Sequence, residues 1–585
     1  MKEEIKKIVE KAIKKAGFEL LESKAPIFSK IGARPSTKIN FSALVSVDQP
    51  KEISHGDYST NVALILSKKL GKPPMEVAQK IAGSIKGKMF EKVEVAPPGF
   101  INFHLSKDIF VENIKEILKS KNFGKNQNLK NQKVIVEYTD PNILKEFHIG
   151  HLMSNAIGES LSRIFEFNGG SIKRANYQGD IGLHVAKAIF GKVKNPSESW
   201  QNCYAFGSKA YEENENDKKE IEALNKKIYE KSDKNINALY KQGRKESLEK
   251  FEVLYKKLGT RFDYYFFESQ IADIGKKIVN DNLGKVFEKG ANGAIIFKGE
   301  KVGLHTRVFI NSEGLPTYEA KDLGLVEFKY SKYKYDKSVI VTANEQNEYF
   351  KVMLSALKQI KPALSEKTKH IGHGMMRLPE GKMSSRTGKV VTAEFLIGEV
   401  EKMVAEKIKE RNLSDAEKKE IIEKVAIGAV KYSILKQSIG SDIIYDFEKS
   451  ISFEGDSGPY LQYSFARANS VLEKAKSEKV KPSLKNLAPI NQLEKIMMHF
   501  PEIVATAAGG IPSKGGKKSG KEFEPHFIVL YLTELAREFS NYYAKNKIVD
   551  KADEFSPYKV ALAQAFSIIM KNGLWLLGIS APNKM

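Results

Sequence analysis

The chain has 585 residues, 41% of them hydrophobic and 29% charged, and carries a formal net charge of +23. That length exceeds what one hydrophobic core serves and calls for about three or four domains. No apolar run is long enough to cross a bilayer, so nothing argues for a membrane protein and a soluble chain is expected. Cys203 is the only cysteine, which excludes an intrachain disulfide and a cysteine-based zinc site and fits a reducing cytoplasm. A pI near 9.4 favours a polyanionic partner, because each phosphate neutralised by Lys or Arg releases counterions. Nucleic acid is the natural candidate; on charge alone, compositional bias with solvated lysines is an equal reading.

In chain order, Met1–Leu20 places Ile5, Ile8, Val9, Ala12 and Ile13 at helical spacing. A basic amphipathic start is also the mark of a transit peptide, but Glu3, Glu4 and Glu10 oppose that, and a helix opening a domain is predicted. A turn-rich His55–Tyr58 precedes an apolar helix over Val62–Leu70, which Gly71-Lys72-Pro73-Pro74 ends while starting another. After Pro97-Pro98-Gly99, the alternation of Phe100–Leu105 reads as a strand, completing a small α/β domain over 1–110. Lys119–Gln132 lacks apolar periodicity and reads as a linker, placed at 111–130.

Val134–Tyr138 is then a buried strand and Thr139–His148 a loop, and Ile149, Leu152, Ala156, Ile157, Leu161, Ile164 and Phe165 form a helical stripe ending at Gly169-Gly170. This strand, loop and helix open a doubly wound, Rossmann-like parallel sheet predicted over 131–400. A charged helical stretch from Asn195 to Lys257 marks an insertion, placed at about 195–290, before strand-like Ala294–Phe297 and Ser338–Val341. From 401 to 585 the pattern is helical, with long periodic stretches at Ile421–Leu435, Tyr460–Ala475, Phe527–Tyr543 and Val560–Leu577, so an all-α bundle is predicted. No internal repeat is found.

His148-Ile149-Gly150-His151 falls where the first loop becomes a helix, so unpaired backbone N–H groups and the positive end of the helix dipole meet whatever sits there. Two imidazoles on one side suit the α-phosphate of ATP as pyrophosphate leaves, with Gly150 letting the adenine approach. The alternative is a pair of helix-capping histidines. Gly381–Lys389 is a glycine-bounded basic loop with three hydroxyls, able to close over a triphosphate with Lys382, or simply a solvated lysine turn.

Together the two segments resemble the HIGH and KMSKS signatures of class I aminoacyl-tRNA synthetases. Glu137–His148 and Gln178-Gly179-Asp180-Ile181-Gly182 are similar to the flanks seen in arginyl-tRNA synthetases, as are His55–Ala63, Pro98–Leu105, Tyr318–Asp322 and Gly455–Arg467. The resemblance implies an ATP-dependent ligase that forms arginyl-adenylate and transfers arginine to the 3′ end of tRNA(Arg), with Mg2+ accompanying ATP and no protein-held metal. It implies catalytic roles for His148, Gly150, His151, Lys382 and Ser384, with Met376, Met383 and Arg386 also against ATP. A guanidinium wants carboxylates and an aromatic face, and by resemblance Glu137, Asn142, Tyr318, Asp322 and Gln346 line the arginine pocket; for Tyr318 and Asp322 taken alone, packing and helix capping is the favoured reading. Ser385 stands where the loop usually has its second lysine, and by resemblance Lys145 compensates, with Arg386 a weaker substitute.

In the bundle, Tyr460, Tyr463 and Arg467 share a helix face; by itself this favours an aromatic packing stripe with a surface arginine, and it is the resemblance that makes it a face on which anticodon bases stack. By resemblance Met585 lies near the anticodon loop, and Asn102 and Phe103 contact the tRNA D-loop. The Gly-, Ser- and Lys-rich stretch 509–521 reads as a solvated linker in preference to an RNA-contacting loop. A cytoplasmic monomer is expected. Three alternatives remain: another class I synthetase, disfavoured by the acidic pocket set and, for a cysteine enzyme, by the lone cysteine; an inactive synthetase-like RNA binder, which would have lost signature residues kept here; and a nucleotidylyltransferase, which would not need Tyr463 and Arg467.

Overall fold

A computed structural model of the chain describes residues 1–18, 44–50, 52–379, 391–509 and 523–585. The chain divides into two units: Met1–Ser120 with Lys481–Met498 and Ala552–Ala565, and Lys121–Val480 with His499–Lys551 and Phe566–Met585. Sequence reading kept 481–498 and 552–565 with the rest of the bundle, because helical spacing shows that a face is buried and not which core receives it.

In the first unit, α1 (Lys2–Lys15) buries Ile5, Val9, Ala12 and Ile13 on one stripe. Then come β1 (Tyr58–Thr60), α2 (Val62–Leu70), α3 (Pro74–Ser84), β2 (Phe90–Ala96), β3 (Phe100–Leu105) and α4 (Lys107–Lys119). The antiparallel sheet has the order β1-β3-β2, so the stretch read as a turn delivers an edge strand, with Tyr58 opposite Phe103. The Asp57 carboxylate anchors it, accepting the Leu105 N–H at 2.8 Å and pairing with Lys495 at 2.8 Å.

Of the segment placed as a linker at 111–130, residues 111–119 continue α4 of the first unit, and the second unit begins with the rest, which is docked: Phe123 and Leu129 are buried, and the Asn126 and Leu129 N–H groups donate to the carbonyls of Phe167 and Asn168. Next are β4 (Lys133–Tyr138), α5 (Ile149–Phe167), β5 (Ser171–Gln178), α6 (Leu183–Lys194), α7 (Trp200–Glu213), α8 (Glu215–Glu230), α9 (Lys234–Leu258), β6 (Tyr264–Phe267) and α10 (Glu268–Asp281). A small antiparallel sheet follows, of β7 (Glu288–Lys289), β8 (Ile295–Phe297) and β9 (Arg307–Ile310). After it come α11 (Tyr318–Lys332), β10 (Lys337–Ala343), α12 (Asn347–Ile360), α13 (Pro362–Lys367), β11 (Thr368–His373) and β12 (Met376–Arg377). The helical remainder of the chain is α14 (Ala393–Ile408), α15 (Asp415–Leu435), α16 (Phe447–Ser450), α17 (Gly458–Ser477), α18 (Gln492–Met498), α19 (Phe500–Ala507), α20 (His526–Lys545) and α21 (Ser556–Leu576), of which α18 and the start of α21 belong to the first unit; β13 (Ile443–Ile444) interrupts it and pairs in parallel with β12. No helix among the described residues is long and apolar enough to cross a membrane.

The main sheet is parallel, in the order β11-β10-β4-β5-β6. Val134, Ile135 and Val136 are fully buried, as a central strand covered on both faces requires. The chain leaves β4 toward β5 and β6 and returns on its other side as β10 and β11, so the loops after β4 and β10 part company at the carboxyl edge. That topological switch point is where doubly wound sheets bind ligands. The insertion proves shorter than the predicted 195–290: it comprises α7 to α9, and Tyr264 is already back in the sheet. An edge strand of four residues, Tyr264–Phe267, has too little length to show against the charged helices before it.

Candidate active site and nucleic-acid face

The loop between β4 and α5 is held open by backbone that few side chains adopt: Thr139, Asp140 and Leu144 have φ of 84°, 45° and 63°. Surrounding bonds fix it. Ser154 accepts the Thr139 N–H at 3.0 Å, Asp140 accepts that of Tyr177 at 2.7 Å, and Ser247 accepts that of Leu144 at 3.0 Å. Asn142 lies against Gly179, where a Cβ would come within 2.1 Å of its Oδ1, so a side chain at 179 would evict it.

His148 is the N-cap of α5. Its Nδ1 accepts the Gly150 N–H at 3.1 Å, and the Nδ1 of His151 accepts the His148 N–H at 3.3 Å. Capping and phosphate binding are therefore compatible. Because each Nδ1 is an acceptor, each ring carries its proton on Nε2 and offers it outward. The rings stack at 3.6 Å. Burial, then Lys145 and His373, pull His148 down to about 4, and burial with His148 nearby pulls His151 well down, so both are neutral donors at physiological pH. Lys145 lies 4.7 Å from the Tyr204 ring of α7 and close enough to depress both histidines, which puts it in the site. His184 and His373, which the sequence reading passed over, complete the wall: both are buried, and burial brings His184 down to about 3.

Lys382, Met383, Ser384, Ser385 and Arg386 lie outside the described residues. The chain beyond them is tied to the histidine motif: Ile149 N–H donates to the Val391 carbonyl at 3.0 Å and Ala393 N–H to that of Phe147 at 2.8 Å. Met376 is buried in β12 opposite Ile443.

Of the expected arginine ligands, Glu137, Tyr318 and Asp322 come together around β4 and α11, and Gln346 lies apart in the turn after β10. Glu137 is buried, but Lys329 holds it at 2.6 Å, so it enters as an ion pair rather than a free carboxylate. Glu268, which the sequence reading did not select, forms a second buried pair with Lys321. Asp140 and Asp322 have no ion-pair partner among the described residues. Burial raises both carboxyls; Asp322 reaches about 7, with Glu137 and Glu268 adding to the rise and a Tyr349 hydroxyl at 2.5 Å opposing it. Thr317, not Tyr318 or Asp322, is the N-cap of α11. Tyr318, its first residue, is half exposed with Lys321 4.5 Å from its ring. Gln346 is exposed at the end of the turn after β10, where it caps α12.

The Tyr177 hydroxyl is buried without a hydrogen-bond partner and feels Glu268, Asp322, Glu137 and Asp180. Surplus carboxylates around an unpartnered hydroxyl are chemically complementary to a guanidinium, a flat cation with five N–H donors. Asp180, from the Gly-Asp segment, is a support: fully buried, it accepts from Tyr240, Arg244 and Ser269 and ties α9 and α10 to the end of β5. No periodicity could have flagged Glu268, Lys321, Lys329 or Tyr177, since their importance comes from mutual placement.

On the bundle, Tyr460, Tyr463 and Arg467 do share a half-buried face of α17. The Arg467 guanidinium lies 4.7 Å from the Tyr463 ring and 5.3 Å from that of Tyr543, an exposed residue of α20 that sequence reading missed. The Met585 carbonyl accepts from Arg411, whose guanidinium sits over Phe453, itself edge-on to Tyr463. In the first unit, Asn102 and Phe103 are 4% and 0% exposed: alternation along β3 turns Phe103 into the core, so this side chain does not meet RNA directly.

A parallel sheet split by a helical insertion, with a histidine-capped helix at its switch point, is the catalytic fold of a class I aminoacyl-tRNA synthetase. The family model "tRNA synthetases class I (R), catalytic domain" matches residues 113–447. The models for the arginyl tRNA synthetase N-terminal domain and the DALR anticodon binding domain match 3–105 and 461–585. The arginine–tRNA ligase of Fusobacterium nucleatum is 32% identical, over 91% of this chain and 93% of the relative, and that of Clostridium acetobutylicum 31%, over 92% and 96%. Among solved structures, the arginyl-tRNA synthetases of Plasmodium falciparum and Thermus thermophilus share the fold at TM-scores of 0.76 and 0.73, with identities of 21% and 23%; each alignment covers 100% of this chain, and 99% and 100% of those chains. The chain belongs to the arginyl-tRNA synthetases.

Proposed function

We propose that the chain activates arginine with ATP and charges tRNA(Arg). The observation that carries this reading is the placement of paired neutral Nε2–H donors, His148 and His151, beside a pocket with two uncompensated buried carboxyls, Asp140 and Asp322. The arginine guanidinium enters among Glu137, Asp140, Tyr177, Glu268, Tyr318 and Asp322, with Asn142 at the α-amino or carboxylate end and Gln346 at the rim. Its carboxylate attacks the α-phosphorus in line, the bond to the bridging oxygen breaks, and pyrophosphate leaves. The imidazole N–H groups follow the charge that grows on the α-phosphate oxygens, Lys145 supplies the cation that Ser385 does not, and Lys382, Ser384 and Arg386 close over the leaving group with Met376 and Met383 near the adenine. Mg2+ arrives with the ATP phosphates. The 2′-OH of the terminal adenosine then takes the arginyl group and AMP leaves.

In this reading 1–110 is a tRNA-contacting domain, 131–400 the catalytic domain and 401–585 the anticodon domain, where Tyr460, Tyr463, Arg467 and Met585 meet the anticodon loop and Tyr543 joins them. Asn102 supports the D-loop contact from within β3. In this reading the enzyme works as a monomer in the cytoplasm; a single cysteine, unable to form an intrachain disulfide, fits a reducing compartment. The test is pyrophosphate exchange into ATP with each standard amino acid, with and without tRNA, on wild type and Lys145→Ala. Exchange confined to arginine, collapsing in the variant, is expected; exchange with another amino acid overturns the pocket, and persistence in the variant overturns the role of Lys145.

A further inference from the structure

Between the carboxyl ends of α9 and α21 lies a cleft of about 340 Å3, lined by Arg163, Lys256, Lys257, Lys424 and Lys571 around Trp575, with Glu423 the one acidic residue lining it. Arg163 is paired with the buried Glu159 at 2.7 Å, Lys257 with Glu401 at 2.7 Å and Lys424 with Glu420, so the cations without an ion-pair partner among the described residues are Lys256 and Lys571. Helix carboxyl ends ordinarily repel anions, because their last carbonyls are unpaired and carry the negative end of the dipole. Here those carbonyls are covered. Arg163 donates to Trp575 and Gly259 at 3.0 Å each, Ser160 to Leu576 at 2.9 Å, and the buried Lys431 to Leu258 at 2.6 Å and Gly578 at 2.8 Å. The result is a positive cleft at the one kind of helix end that should disfavour an anion. Trp575 is 40% exposed, with the Arg163 guanidinium 5.2 Å from its ring, so it offers a ring surface to the cleft.

We infer that this cleft seats a stretch of RNA phosphodiester backbone, with a sugar or base against Trp575, as a tRNA contact separate from both the catalytic pocket and the face around Tyr463. The inference rests on the ligase reading. Lysines from three elements spread along an open cleft suit successive phosphates rather than one small anion, and lysine heads serve a backbone as point charges.

The chain has two tryptophans, so a Trp200→Phe protein reports on Trp575 alone. Titrated with a tRNA(Arg) transcript, its emission should change saturably. Adding Lys256→Gln and Lys571→Gln should make the slope of log affinity against log salt shallower by about 2 units and weaken binding about tenfold near physiological salt. The KM for tRNA should rise while the KM for arginine holds. Normal arginylation with unmoved Trp575 emission and an unchanged slope overturns the cleft. Inorganic tripolyphosphate producing the same emission change at matched phosphate overturns the RNA assignment. A parent protein that charges no tRNA with arginine overturns instead the ligase reading beneath it.

Discussion

In the proposed arginine pocket, Asp322 is the side chain whose charge state would favour a cationic substrate. In the free enzyme burial and two neighbouring carboxylates hold its carboxyl at about 7. A guanidinium binds the ionised form, so below that value arginine binding must expel a proton. Arginine affinity should therefore rise about tenfold from pH 6 to pH 8 and then level. Calorimetry in buffers of different ionisation heat should detect proton release at pH 6 and little at pH 8; tighter binding at the lower pH would sink the assignment. Asp322→Asn should flatten the profile and raise the KM for arginine about 30-fold or more, as loss of one partner of a buried charge pair does. Tyr318 and Asp322 were legible only through the family resemblance, since their spacing alone favours packing and helix capping. Glu268 and Lys321 were not, because a buried pair draws its meaning from two segments, β6–α10 and α11, that meet only in the fold.

Among the elements, α5 is capped by His148, and the proposed mechanism gives the same residue a second job. His148 accepts the Gly150 N–H through Nδ1, and in the proposed mechanism its Nε2–H meets substrate, so the two roles should separate by substitution. Asn at this position can still cap a helix and lacks an imidazole N–H. His148→Asn should keep stability close to wild type and lose roughly 100- to 1,000-fold in kcat for adenylate formation. His148→Ala should lose the same rate and about 1 kcal/mol of stability in addition. Equal melting of the two variants would show that the cap contributes nothing. The helix and its start were readable from its apolar stripe and the loop before it. The end of the insertion was not, because β6 is short and its hydrogen-bonding partner β5 is the only thing that defines it.

Across the second unit, contacts run from the carboxyl terminus to the signature loop. Lys431 grips Gly578 and Leu258; two residues on, the Thr260 hydroxyl donates to Asn155 at 3.0 Å, and Asn155 donates at 3.0 Å to Thr139, which opens the strained loop with φ of 84°. Lys431→Met should lower kcat for arginylation by a factor of about 2 to 30 while leaving the KM for arginine near wild type. Asn155→Ala made alone and together with it completes a double-mutant cycle. Non-additive losses in kcat are expected, and strict additivity would show that the two residues act independently.

The sequence by itself determined the parallel sheet, the histidine motif at a helix start and the helical carboxyl-terminal third, because these are local: periodicity, turn residues and motif spacing are properties of neighbouring residues. The tertiary structure alone decided that Glu137 arrives already paired with Lys329, that Phe103 faces inward, that Tyr543 joins Tyr463 and Arg467, and that 481–498 and 552–565 pack with the first unit. Each of those depends on which distant surface receives a side chain, and hydrophobic spacing specifies that a face is buried without naming the partner that buries it.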